Sequence, residues 1–261
     1  MRALNIAATG MLAQQLNVEV ISNNIANMNT TAYKRQRAEF QDLLYQNELV
    51  VGSTSSDSGS IVPSGIQLGL GVRTAAVYRM TGQGQIITTE NTLDLAVQGK
   101  GYFQVTLPSG ETAYTRAGSF QLSPEGQIVT ANGYTVQPGI TIPTDAIDVT
   151  VNSSGEVQVT ITGQVQPQTV GQLELATFPN EVGLQALGDN LFAETPASGS
   201  ATTGVPGSTG FGTMLQGFLE TSNVDVVQEI TNLIRAQRAY EMNSKVIETS
   251  DQMLQTMTQL R

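Results

Sequence analysis

Two places in the chain carry residue types that could do chemistry. Asp145 and Asp148 stand three residues apart, and a carboxylate pair is what glycoside hydrolysis needs for its acid and base roles. They follow Pro143 in a turn-like run, however, which is the setting of solvated turn acids. Gly99-Lys100-Gly101 invites comparison with a phosphate loop. No glycine-rich run of Walker spacing precedes Lys100 and no Ser or Thr directly follows it, so nucleotide binding is not expected. A β-bulge or a tight strand crossing, where only glycine lets backbones approach closely, accounts for the tripeptide. The chain has no His and no Cys, which removes the commonest general base, the commonest metal ligand and the thiolate nucleophile together. No motif supports a Ser or Lys nucleophile. The expectation is a protein that is not an enzyme, with no catalytic residue, no metal ligand and no cofactor.

What must be positioned instead is a pair of long helices at the chain's two ends. Val224 to Arg261 contains neither Gly nor Pro, and Val226, Leu233, Tyr240, Ile247 and Leu254 recur every seventh residue. Ile230, Ala236, Asn243 and Met257 extend the same seam. The intervening positions are small or polar, so the stripe is narrow, suited to one or two neighbouring helices rather than to a broad core. About 35 residues at 1.5 Å each give a rod of roughly 50 Å, longer than an ordinary domain helix. Ser222 with Asp225 three residues on resembles a capping box at its start. Near the N-terminus Leu4, Met11, Val18 and Ile25 repeat the seven-residue period, with Ala8, Gln15 and Ser22 between them. The two ends therefore share one pattern. They pair with each other and with copies next door, or they merely pack on a central domain.

Bulk properties narrow the partners. A net charge of −10 with only 12 Lys and Arg argues against nucleic acid, and no polybasic run offers itself to an anionic membrane. No stretch of eighteen apolar residues exists, so no membrane insertion is expected. Asn5, Thr9, Gln14 and Gln15 interrupt any apolar core in the first twenty residues, so the N-terminus is not expected to be a cleaved secretory signal. Charged residues make up only 13% and there are 26 Gly, a composition that fits a secreted, β-rich, self-associating chain.

In order, residues 1–34 read as the N-terminal helix and its Asn-rich end, and 35–92 as a linker region. That region starts with a short helix over 35–46, with Phe40, Leu43 and Leu44 on one side, and passes through a Ser/Gly/Thr-rich insertion at 47–65 to a strand over Val72–Met80. Turn signals at Pro108-Ser109-Gly110, Pro124-Glu125-Gly126, Asn132-Gly133 and Ser154-Gly155 separate alternating segments and predict an all-β domain over 93–178. Residues 179–223 read as a returning linker, flexible from Thr195 to Gly212, before the final helix over 224–261. The fold class is α+β, with the terminal helices forming a coiled-coil-like inner domain and a central all-β domain.

Ser22-Asn23-Asn24-Ile25-Ala26-Asn27, followed by Asn29-Thr30-Thr31-Ala32-Tyr33-Lys34, resembles the N-terminal signature of the flagellar rod, hook and hook-associated axial proteins. Tyr114 to Phe120 with Gly126 to Pro138 is similar to the middle domain of that family, and Gln216 to Val227 with Arg235 to Lys245 resembles its C-terminal signature. The 35–46 stretch is similar to the distal-rod member. The resemblance implies a bacterial flagellar basal-body subunit, exported without cleavage by the flagellar type III apparatus. Such a subunit would polymerise with itself into a hollow helical shaft that spans the periplasm, passes torque to the hook and forms part of the export channel. It implies as neighbours the proximal rod proteins, the hook protein and the surrounding P and L rings. The other reading of the residues is an extracellular adhesin-like module whose β domain grips a ligand.

Overall fold

The computed structural model describes residues 2–49, 65–161 and 166–259. The chain divides into two compact units: residues 1–26, 36–79 and 225–261 form a helical unit, and 27–35 with 80–224 form a β body. Of the 47–65 insertion, residues 50–64 lie outside the described residues.

The helical unit contains α1 (Arg2–Ala26) and α2 (Val226–Gln259). Helix α2 starts one residue after Asp225, whose Oδ1 accepts from the N–H of Val227 (3.0 Å) and Gln228 (3.2 Å). Asp225 is thus the cap, and Ser222 instead bonds the N–H of Val224 (3.3 Å). Against α1 lies an antiparallel ribbon of Gln36–Asp42 and Val72–Arg79, with a bulge between Glu39 and Phe40. Tyr45–Leu49 and Ile66–Gly69 pair as a second ribbon.

The expected short helix over 35–46 is therefore strand. Its composition permits helix, but exposure alternates, with Gln36, Ala38 and Phe40 turned inward and Arg37, Glu39 and Gln41 outward. Seven register partners on Val72–Arg79 override a weak local preference.

In the β body one antiparallel sheet runs in the order 185–188, 191–193, 112–115, 102–106, 135–136, 128–130 and 120–122. Strand 175–177 joins 102–106 and 202–204. A three-stranded sheet of 146–151, 156–161 and 168–172 and the pairs 95–98 with 213–216 and 86–88 with 218–220 complete the described strands. The core lies between the sheets: Phe103, Val105, Phe120, Ile128, Val157, Leu173, Leu175 and Met214 are buried, and Phe103 meets Phe120 edge to face at 5.0 Å. Tyr102, Tyr114, Phe178 and Leu184 form a second apolar cluster.

The run from Thr195 to Gly212, read as flexible from its composition, carries local structure. Strand 202–204 pairs with 175–177, and Ser198, fully buried, bonds the backbone of Thr195 through its side chain (2.8 Å). Short polar residues satisfy their own backbone here, so Ser and Thr richness marks a tight turn and not a loose linker.

Candidate assembly interface

The two helices of the helical unit run antiparallel, and two contacts fix their register. Asn24 Nδ2 donates to Glu229 Oε2 (3.1 Å), and a Cβ added to Gly10 would lie 2.9 Å from Asn243 Nδ2. Fourteen residues separate the two positions on each helix, a whole number of heptads, so the pair stays in step. Gly10 leaves room for the Asn243 amide at this point, and a side chain there would require that amide to move aside.

Asn24 closes the unit. Its Nδ2 donates to the carbonyl of Gln36 (2.8 Å) and its Oδ1 accepts the Gln36 N–H (2.8 Å), so one side chain pairs with the first residue of the ribbon as a strand would. With only 1% of its surface exposed, it satisfies α1, α2 and the ribbon together. Thr9 adds a second tie, its Oγ1 accepting the N–H of Val72 (3.3 Å). Arg2 and Glu48 form an ion pair.

Most of the seam residues named from periodicity are only half-buried: Leu4, Ala8, Met11, Val18 and Ile25 on α1, and Val226, Leu233, Asn243, Ile247 and Leu254 on α2. Ala236 is buried, and Gln15, Ser22, Ile230 and Tyr240 are exposed. On α1 the fully buried positions are Ala7, Ala13, Val20, Ile21 and Asn24, and the contacts to α2 at Gly10 and Asn24 each fall one residue before a position of the expected stripe. Heptad counting cannot separate neighbouring registers when a contact is made at a glycine such as Gly10. Of the motif residues, Asn24 is buried, Asn27 and Thr30 are half-buried and joined side chain to side chain (3.1 Å), and Ser22, Asn23, Ala26 and Asn29 are exposed.

The β body holds a feature that the sequence reading missed. Glu220, 2% exposed, receives Lys34 Nζ and the Gly84 N–H (2.9 Å) on one carboxylate oxygen and Arg116 Nε (2.7 Å) on the other. The Arg116 guanidinium also donates to the carbonyls of Val97 (2.8 Å), Gly99 and Gly101. Gly99 and Gly101 hold φ of 103° and 142°, where side chains are strained, and this turns their carbonyls toward the arginine. The Gly-Lys-Gly tripeptide is thus a cation cradle for the chain's own arginine, while Lys100 is exposed. Burial alone pushes the Glu220 carboxyl up, but Arg116 and Lys34 together hold it below its ordinary value. Burial lowers Lys34, with Arg116 adding to the effect and Glu220 opposing it.

One turn away in sequence, Asn223 ties three passes of the chain. Its Oδ1 accepts the Arg35 N–H (2.7 Å), and its Nδ2 donates to the carbonyls of Met80 (2.9 Å) and Gly82 (2.8 Å). The signal available in the sequence was charge placement. Arg116 and Glu220 each sit inside an otherwise uncharged stretch of a chain with few charges, whereas Lys34 opens a short basic run with Arg35 and Arg37.

Asp145 and Asp148 are exposed; Asp145 accepts from Thr144 Oγ1 (3.5 Å) and Asp148 from the Val149 N–H (2.9 Å). Neither faces a cleft with the other. No helix among the described residues is long and apolar enough to cross a membrane.

Comparison with known proteins agrees with this division. Residues 4–34 match the family described as flagella basal body rod protein, 96–159 the flagellar hook protein FlgE/F/G D1 domain, and 215–260 the flagellar basal body rod FlgEFG protein C-terminal region. The flagellar basal-body rod protein FlgG of Caulobacter vibrioides is 66% identical over 261 residues, covering all of both chains. FlgG of Agrobacterium fabrum is 55% identical over 97% of each chain, and FlgG of Bacillus subtilis is 38% identical over 100% of this chain and 99% of its own. All three carry the name of a structural rod protein and not of an enzyme.

Proposed function

Because the chain belongs to the FlgG family of flagellar basal-body rod proteins, we propose that it is the distal-rod subunit and assembles through its terminal helices. On this reading α1 and α2 of each copy pair in coiled-coil fashion and meet the helices of neighbouring copies, so that they line a hollow shaft while the β body thickens its wall. The shaft passes torque from motor to hook and leaves a central channel for later subunits. Proximal rod proteins below, hook protein above and the P and L rings around it are its neighbours, and the chain reaches its periplasm-spanning position through the type III route without cleavage.

The observation that supports this most directly is the seam itself. Two long helices hold register over fourteen residues, yet Ile230 and Tyr240 stay exposed and most seam residues reach only half-burial. A helix pair with this much open apolar surface is built to be covered by other helices. Imaging of the purified chain at rising concentration tests the reading: tubes with a central lumen are expected, and a chain that stays monomeric at every concentration would refute it.

A further inference from the structure

Elsewhere in the β body short polar side chains serve the chain itself: Asn152 and Ser198 bond their own turns, and Asn223 ties three passes of backbone. A cavity of about 220 Å³ between the turns at 130–134 and 189–190 is lined differently. Ser119, Tyr134, Asp189 and Asn190 line it, and among the described residues their side-chain polar atoms have no hydrogen-bond partner. The backbone beneath them is nevertheless tied down. Thr115 Oγ1 donates to the Asn190 carbonyl (2.9 Å), the Thr130 N–H donates to the Tyr134 carbonyl (2.9 Å), and Thr130 Oγ1 accepts the Tyr134 N–H (3.2 Å). Uncommitted polar groups are thus held in fixed places, which is how a binding site avoids ordering costs.

The turn at 189–190 adds a second sign. Asp189 and Asn190 take φ of 51° and 59°, the left-handed region where glycine is least strained. Gly110, Gly126, Gly133 and Gly155 fill such positions in other turns. Among the described residues Ala32 is the one further non-glycine residue there. Asp and Asn tolerate this backbone better than other side chains, yet they keep a carboxylate and an amide where glycine would serve the turn.

The lining also selects the ligand. It holds one carboxylate and no Lys or Arg, so an anion would find no counter-charge. No group of three acids able to hold a metal ion exists among the described residues. Apolar lining is confined to Ala117, Ala131, Leu191 and the Tyr134 ring, too little for an apolar molecule. A neutral molecule dense in hydroxyls remains. A carboxylate accepts from two adjacent hydroxyls, an amide both donates and accepts, and a tyrosine ring offers its face to the C–H side of a sugar. Tyr134 is also a wall of a second cavity, of about 450 Å³, whose lining includes Thr106, Thr135 and Gln137. Together the two reach the roughly 300–1,000 Å³ of ordinary ligand sites.

We propose that the β body binds a neutral oligosaccharide here, one sugar held by Asp189 and Asn190 and the chain continuing across Tyr134 into the second cavity. The site lies within the β body alone, so it stands or falls apart from the self-assembly reading.

The test titrates the full chain with cellotetraose, maltotetraose and chitotetraose. Binding is followed by the amide resonances of Tyr134, Asp189 and Asn190, and by a fluorophore on Asn132→Cys, which lies at the cavity in a chain without cysteine. At least one sugar should shift all three resonances with a Kd of about 1 mM or tighter. Asp189→Gly/Asn190→Gly removes both side chains and keeps the left-handed turn, so it is expected to fold as the parent does and to weaken binding at least about tenfold. The proposal is overturned if no sugar moves these resonances at about 10 mM, or if the double glycine variant binds as the parent does. Inorganic phosphate alone shifting the same resonances, with the sugars silent, would show that the ligand class is wrong.

Discussion

In the β body, Phe103, Val105, Leu175 and Val157 have essentially no exposed surface, and the charges of Lys34, Arg116 and Glu220 are buried but answered by one another and by backbone. In the helical unit the fully buried apolar residues are small or few: Ala7, Ala13, Val20 and Ile21 on α1 and Ala236 on α2. Fifteen of the twenty-two exposed large apolar side chains among the described residues belong to this smaller unit. The difference teaches where each unit finds its stability. One buries its large apolar side chains within the chain, and the other leaves most of its own exposed.

The sharpest way to break that contrast is Glu220→Gln. Lys34 and Arg116 would be left buried without the carboxylate they share, a change expected to cost the β body about 3–5 kcal/mol and read as a lower denaturation midpoint. An unchanged midpoint would mean that the triad is not what closes the body. Acid probes the same carboxylate more gently. Because its folded value is depressed, Glu220 stabilises the body above the ordinary glutamate range, and this contribution is lost as pH falls through the folded value. Acid unfolding followed by near-UV dichroism should therefore be steeper in the parent than in Glu220→Gln.

Asn24→Ala aims at the other unit. It removes the Asn24 bonds to the Gln36 backbone groups and to Glu229 and should cost about 1–3 kcal/mol, seen as earlier loss of helical signal with the β-body midpoint unmoved. A matching shift in both transitions would show that the units are not separately closed. The smallest effect on the monomer is expected from Tyr240→Asp, an exposed position where stability should change by no more than about 0.5 kcal/mol. Assembly and motility should nevertheless be abolished, and a motile strain carrying this change would remove Tyr240 from the interface.

Much of the β body could be read from the chain because its hairpins are local. Asn132-Gly133 and Pro108-Ser109-Gly110 announce turns whose strands lie within a few residues, and those strands fall where alternation puts them. The strand at Gln36–Asp42 could not be read, since its partner lies some thirty residues away and its own composition tolerates helix. The triad was out of reach for the same reason: Lys34, Arg116 and Glu220 each mark a motif, but only tertiary folding brings three such distant positions onto one carboxylate. On the helices the period was legible while the facing register was not, because Gly10 meets Asn243 through close approach and Asn24 meets Glu229 through a hydrogen bond, neither of which a hydrophobic repeat encodes.

The antiparallel course of α1 and α2 bears on anyone wishing to label this protein. In the register set by Asn24–Glu229 and Gly10–Asn243, Arg2 and Asp251 lie abreast, so labels attached at these two positions would crowd the same end of the helix pair. A reporter is better placed on Asn132, which is exposed in the Asn132-Gly133 hairpin turn, than on Gly133, whose φ of 83° a side chain would strain.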